Sequence, residues 1–287
     1  MKIIDLQTQM TTKKGAMFSL KMKDFFEATF KAKIPYYQTE DEMMDLFRRA
    51  GIKAVFCVPN PTSFDEMKEL GDYMGKLKRD YPDVVCGSWA PYNHELDIDN
   101  YVVELEKYID NAGSFGFFYY GAATGVPAND ERFFPIYKLC SEKKVPIKIS
   151  VGHTAMGAGT PGGMGVRLGT ERPIPVIDDV AAQFPELIII ASHCPWPFQS
   201  EMISVLIHKA NVYNEVHGWM PKYFPEELKK EINSRCKNKI MFGSDYPFFQ
   251  FDQIIDGWKN EGYKPEVLEN VFYKNAEKAL GLTSSAS

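Results

Sequence analysis

The chain has 287 residues, 45% hydrophobic and 14% aromatic, which suffices for one large core and is the usual size of a single eight-stranded α/β barrel. A net charge of −5 with scattered basic residues excludes a nucleic-acid surface, and no apolar run approaches the length that crosses a bilayer. The five cysteines (57, 86, 140, 194, 236) are odd in number without paired metal spacing, and Met1-Lys-Ile-Ile leads into a strand rather than a secretory signal. Reduced thiols in a cytoplasmic protein are expected.

Residues 2–9 read as the first strand, with 3, 5, 7 and 9 on one face; Asp5, Gln7 and Gln9 there are buried polar groups that need partners. Residues 12–50 read as helices, with Glu42, Met43, Leu46, Phe47 and Ala50 in helical period, and 51–59 as the second strand. Thr62-Ser-Phe-Asp65 and Ser63-Phe-Asp-Glu66 are capping-box-like starts for a helix with the stripe Phe64, Met67, Leu70, Met74 and Leu77. Strands follow at 84–90, 115–120, 145–151, 187–192, 211–216 and 239–243, with helices between them near 99–111, 131–143 and 265–280. Strand and helix alternate eight times without a composition break, which predicts a closed (β/α)8 TIM barrel as one domain over 1–282, followed by a frayed tail at 283–287.

Barrel chemistry sits at the C-terminal strand ends. These tips carry Gln7 and Gln9, His94, Ser150 with His153, His193, Glu215 with His217, and Asp245, which ends the apolar run Ile240-Met-Phe242 after Gly243-Ser244. Four of the five histidines fall at strand tips and only His208 lies mid-helix; that clustering favours an active site over core filling. His94, in the loop Tyr92-Asn-His-Glu95, reads as a surface residue.

Several motifs resemble the amidohydrolase-related family of metal-dependent barrels, in the branch of non-oxidative decarboxylases similar to aminocarboxymuconate-semialdehyde decarboxylase. They are Gly157-Ala-Gly-Thr-Pro-Gly-Gly163, Arg172-Pro173, Ile177-Asp-Asp-Val-Ala-Ala-Gln-Phe-Pro-Glu-Leu187, Ser192-His-Cys-Pro-Trp-Pro197, Gly218-Trp-Met-Pro-Lys-Tyr-Phe224, Phe242-Gly-Ser-Asp-Tyr-Pro247 and Asn275-Ala276. The resemblance implies a divalent metal, usually zinc, held by a His-x-His pair on the first strand, further histidines on the fifth and sixth, and an aspartate on the eighth. His193 and Asp245 match; Gln7, Gln9 and Ser150 stand where histidines are usual. A glutamine oxygen is a weak neutral ligand beside an imidazole, so the expectation is no cofactor at the usual metal position.

Two compensations are open. Lys148 shares a strand face with Ser150, which the resemblance puts inside the barrel, where its ammonium would replace the metal's charge with Asp5, Asp245, Gln7 or Gln9 as partners; alternatively it points outward. Or Zn2+ or another divalent metal sits at a displaced site made by His153, His193, His217 and Asp245; His217 is unusual for the family, which generally has a small residue there. Residues 153–173 carry six glycines without a phosphate-loop ending and read as a lid, flanked by Arg167 and Arg172 as carboxylate holders or as structural arginines.

The resulting expectation is an enzyme that hydrolyses or decarboxylates a small carboxylated or carbonyl-bearing molecule. His193 and Asp245 would be the acid–base pair, with Gln7, Gln9, Lys148, Ser150, Arg167 and Arg172 binding substrate. Some relatives of this superfamily act without metal on activated substrates such as lactones. The alternative is a catalytically silent relative that binds a metabolite or has a structural role. The resemblance also implies a possible homodimer.

Overall fold

Short apolar runs closed by a small or polar residue build eight parallel strands among the described residues, which in this computed structural model are 2–16, 23–31 and 33–282. In chain order they are β1 (Ile3–Gln9), β2 (Ile52–Cys57), β3 (Val85–Ser88), β4 (Phe118–Tyr119), β5 (Ile147–Ser150), β6 (Ile189–Ser192), β7 (Val212–Val216) and β8 (Ile240–Phe242). Nearly every residue in them is buried, as expected of parallel strands covered on both faces. The strands are one to four residues shorter than the sequence suggested; the aromatic run 115–120 keeps only two ladder residues, with Phe117 bridging Ala90. The tail at 283–287 lies outside the described residues. No described helix is long and apolar enough to cross a membrane.

The chain folds as two compact units, Met1–Phe117 with Gly243–Asp256, and Phe118–Phe242 with Gly257–Ser287. In the first, β1, β2 and β3 form one ladder, with a register shift between Asp5 and Thr8. The expected helices over 12–50 reduce to α1 (Lys13–Ala16), α2 (Lys23–Phe30) and α3 (Glu40–Ala50), with 17–22 outside the described residues. Residues 33–39 are not helical, because Pro35 disfavours helix at Ile34 and Tyr37 instead bonds to Thr11 by its main chain at 2.9 Å. Thr39 and Glu42 close a capping box on α3, and Gly51 ends it in the left-handed region at φ 69°. The next helix, α4 (Phe64–Asp80), is capped by Ser63; Glu66 reaches back to the hydroxyl of Thr62 at 2.8 Å. Met67, Leu70, Met74 and Leu77 form its buried stripe, and α5 (Ile98–Ala112) packs beside it.

In the second unit the five strands run in the order β4-β5-β6-β7-β8. Among the described residues the helices there include α6 (Gly121–Thr124), α7 (Phe134–Glu142), α8 (Asp178–Gln183), α9 (Gln199–His208) and α10 (Glu226–Ile232). After α11 (Phe251–Lys259) come α12 (Pro265–Glu269), a π-turn over Asn270–Lys274 and α13 (Asn275–Ala279). Asn275 ties this last segment to β8: its amide nitrogen donates to the carbonyls of Ile240 at 2.8 Å and Lys237 at 3.0 Å. Asn275→Ala leaves two carbonyls without their donor, so unfolding in urea should show a loss of about 1–3 kcal/mol. A loss within a few tenths would mean that water replaces the amide.

Candidate active site

Side chains two apart on a strand share a face. That rule puts Glu215 and His217 together at the end of β7, and Lys148 and Ser150 together on β5. Both carboxylate oxygens of Glu215 lie 2.8–2.9 Å from Nδ1 of His217. The Lys148 ammonium is 3.1 Å from Glu215 Oε2 and stands 4.8 Å above the Phe118 ring. Ser192 adds a long hydroxyl contact of 3.4 Å to the same oxygen. Lys148 and Glu215 are fully buried and His217 is 1% exposed, so these charges are out of water and hold their geometry only as a group. Burial alone would raise the Glu215 pKa, but the neighbouring His217 and the Lys148 ammonium, with their hydrogen bonds, pull it down to about 2. Glu215 is a partner of Lys148 that sequence reasoning did not nominate, although the Glu-x-His spacing on one strand face was its visible signal.

His193 follows β6 in the left-handed region, at φ 87°, unusual for a residue with a side chain. Hydrogen bonds from the neighbouring strand hold it there. Its N–H donates to the Glu215 carbonyl at 3.0 Å, its carbonyl accepts from the Asn214 amide at 3.0 Å, and Cys194 N–H donates to the His217 carbonyl at 3.2 Å. Strain over-determined in this way is a mark of functional sites. The His193 ring lies 4.0 Å from the His217 ring and 6.0 Å from Tyr120, whose hydroxyl bonds to Thr154. Desolvation, then the neighbouring His217 and the Lys148 ammonium, hold His193 well below the ordinary imidazole value against the pull of Glu215, so it is neutral at pH 7. Nε2 of His217 is buried and has no hydrogen-bond partner.

The remaining residues of this unit fall elsewhere. His153 is half-buried with its ring 5.4 Å from Trp196. Arg172 is corrected from carboxylate holder to structural arginine: its Nε and Nη2 grip Glu201 at 2.5–3.0 Å on the surface. Arg167 stands exposed. The glycine-rich stretch needs its glycines where chain passes close to chain: a Cβ on Gly157 would collide with the Gly163 carbonyl, and one on Gly152 would meet the Cys194 carbonyl at 2.7 Å.

In the first unit, the main chain brings Gln7, Gln9 and Asp245 together. Asp245 N–H donates to the Gln7 carbonyl and Gln9 N–H to the Tyr246 carbonyl, both at 2.9 Å. The buried Asp5 carboxylate takes Ser244 N–H at 2.9 Å, Ser244 Oγ–H at 2.5 Å and Gln7 N–H at 3.0 Å. Gln7 Oε1 accepts from the Cys57 thiol at 3.0 Å. Asp245 is buried and, at φ 58°, is the second strained residue at a strand tip. His94 is exposed.

The Amidohydrolase family model matches residues 64–282. The chain belongs to the amidohydrolase family. The amidohydrolase fold is also that of solved structures which the chain matches over 98% of its length. An uncharacterised TIM-barrel protein, Bb4693 from Bordetella bronchiseptica, has TM-score 0.75 and 19% identity, with 99% of its chain covered. A 2,6-dihydroxybenzoate decarboxylase from Rhizobium has TM-score 0.70 and 13% identity, and the 5-carboxyvanillate decarboxylase LigW from Sphingomonas paucimobilis has TM-score 0.67 and 12%, each with 99% covered. The fold class is therefore the α/β TIM barrel. No curated protein matches the chain in sequence.

Measured against zinc, the amidohydrolase's donors fit poorly. A catalytic zinc takes three good protein ligands. Beside His193 and His217 the carboxylate of Glu215 is already engaged by an imidazole N–H and an ammonium, and that ammonium repels a second cation. Among the described residues no three His, Cys, Asp or Glu side chains form a group that could hold a metal.

Glu171 escaped sequence reasoning. Buried at the end of the glycine-rich stretch, its Oε1 accepts the Ala122 N–H, and Ser150 Oγ lies near enough to influence it but outside hydrogen-bond geometry. Burial outweighs both and raises its pKa to about 7. Between the ordinary 4.5 and about 7 the folded protein therefore keeps a proton that the unfolded chain releases, so stability falls as pH rises through that window. Glu171→Gln keeps an oxygen for Ala122 and removes the charge. It should be more stable than the wild type by roughly 1–3 kcal/mol in urea titrations at pH 8 and no more stable at pH 4; lower stability at pH 8 would refute the assignment.

Proposed function

We propose that this amidohydrolase is an enzyme that hydrolyses or non-oxidatively decarboxylates a small molecule carrying a carboxylate or an activated carbonyl, without the family's usual metal. The observation that carries the reading is His193. It is kept at the tip of β6, neutral, in strained left-handed backbone, and backed by a buried ammonium–carboxylate–imidazole group that a silent scaffold would have no reason to retain. His193 polarises or protonates the substrate, and Asp245, in the other unit, is the second acid–base candidate. The decarboxylases with this fold support the carboxylate half of the substrate description. Five cysteines that form no disulfide, four of them buried, support a reducing, cytoplasmic setting.

The test is turnover by freshly purified full-length protein of 2,6-dihydroxybenzoate and 5-carboxyvanillate, followed by CO2 release, and of dihydrocoumarin, followed by ring opening. Metal content is measured on the same sample. At least one probe should turn over, with substoichiometric zinc and no loss on chelation. His193→Asn and Asp245→Asn should each lower kcat by about 100-fold or more. Stoichiometric zinc whose removal abolishes turnover would overturn the metal-free reading, and wild-type rates in both variants would overturn the roles of His193 and Asp245.

A further inference from the structure

We propose that His217 is a catalytic proton-transfer residue of this site, acting through Nε2, with Glu215 as its positioning residue and Lys148 as the ion that holds Glu215 in place. The inference rests on the enzyme reading above and adds the atom through which the proton passes.

The argument starts from hydrogen-bond capacity. An ionised carboxylate only accepts. Glu215 presents both oxygens to Nδ1 of His217 at 2.8–2.9 Å, so Nδ1 must carry a proton and donate it. That leaves Nε2 as the working atom of the ring. Nε2 is buried without a partner, in a residue 1% exposed. Burying a polar nitrogen unsatisfied costs about 1–3 kcal/mol, a cost that a bound group would remove. The His193 ring lies 4.0 Å away between centroids.

Glu215 is itself fixed. The Lys148 ammonium at 3.1 Å and Ser192 Oγ at 3.4 Å both bear on Oε2, and the Phe118 ring closes over the ammonium at 4.8 Å. The carboxylate thus stays ionised, keeps the imidazole in one tautomer and stabilises the imidazolium during transfer. This is the role a carboxylate plays behind a general-base histidine. In hydrolysis, Nε2 takes a proton from water as the water oxygen bonds to the carbonyl carbon, and returns it to the departing oxygen or nitrogen as that bond breaks. In decarboxylation, Nε2 first takes a proton from solvent to give the imidazolium; the electron pair of the breaking C–C bond stays on the substrate carbon, CO2 departs, and Nε2–H gives that carbon the proton, which returns the ring to its starting tautomer.

Two measurements test this on the full-length protein. The first is 15N NMR of histidine-labelled wild type and Glu215→Gln. In the wild type Nδ1 of His217 should bear a proton. In Glu215→Gln an amide N–H can donate to Nδ1 instead, so the ring should move toward the tautomer with bare Nδ1 and protonated Nε2. A wild-type ring already in that tautomer, or one unchanged by the substitution, overturns the proposal. The second is kinetic, with dihydrocoumarin and 2,6-dihydroxybenzoate as probes. His217→Ala should lower kcat by about 100-fold or more with KM little changed, and added imidazole should restore part of the loss. Glu215→Gln should lower kcat on the order of 10³-fold. Turnover at the wild-type rate in His217→Ala, or a loss that imidazole leaves untouched in a folded variant, also overturns it. If the wild type turns over neither probe, the enzyme reading fails by itself, and the tautomer measurement still decides whether His217 is arranged as proposed.

Discussion

One carboxylate, Glu215, governs the charge arrangement at the ends of β5, β6 and β7. It is buried between the ammonium of Lys148 and the imidazole of His217, and each contact depends on the other. Without Lys148 the carboxylate would face its desolvation cost with the imidazole alone; without Glu215 the ammonium would lie buried over an aromatic ring with less to offset its own cost. The main chain of the same residue supports His193, because the Glu215 carbonyl takes the N–H that keeps His193 in left-handed backbone. A single strand residue thus sets the charge, the tautomer and the backbone at the tips.

This arrangement bears on how an amidohydrolase fold can work where histidine ligands are missing. A divalent metal supplies a concentrated positive charge and an ordered set of donors. An ammonium supplies the charge at a fixed place but brings its own protons, so it cannot bind water in the same way. In the proposed mechanism the work of moving protons falls to the imidazoles, and two of them stand 4.0 Å apart. Both His193, directly after β6, and Asp245, three residues after β8, lie in left-handed backbone. Hydrogen bonds hold these positions, three around His193 from the next strand and one from Asp245 N–H to the Gln7 carbonyl. Precision of this kind on rigid strand ends is what a reacting group requires.

Eight strands and their order were legible in the sequence because parallel strands, buried on both faces, read as apolar runs with glycine and proline at their ends. The family was legible from short motifs such as Ser192-His-Cys-Pro-Trp-Pro197, where turn geometry restricts the residues allowed. His193, Glu215, His217 and Lys148 could each be named from strand position alone, since a two-residue period assigns faces without knowledge of partners. The non-helical course of 33–39 was missed because a long polar stretch conceals its single decisive proline.

Pairing is what the sequence by itself could not determine. Lys148 and Glu215 are far apart along the chain, and no local rule selects Glu215 over the other carboxylates as its partner; the register of β5 on β6 and of β6 on β7 does so. Arg172 looked like a ligand for a substrate carboxylate because its chemistry allows it, and only the tertiary structure showed Glu201 already filling its fork. Glu171 carried no signal at all, since an acid beside an arginine in a glycine-rich stretch ordinarily faces water, and its raised pKa comes wholly from being buried against β5 and α6. Sequence dictates which groups a strand presents to each face, because that follows from bond geometry; which of them meet, and in what charge state, follows from desolvation and distance, which exist only once the chain has folded.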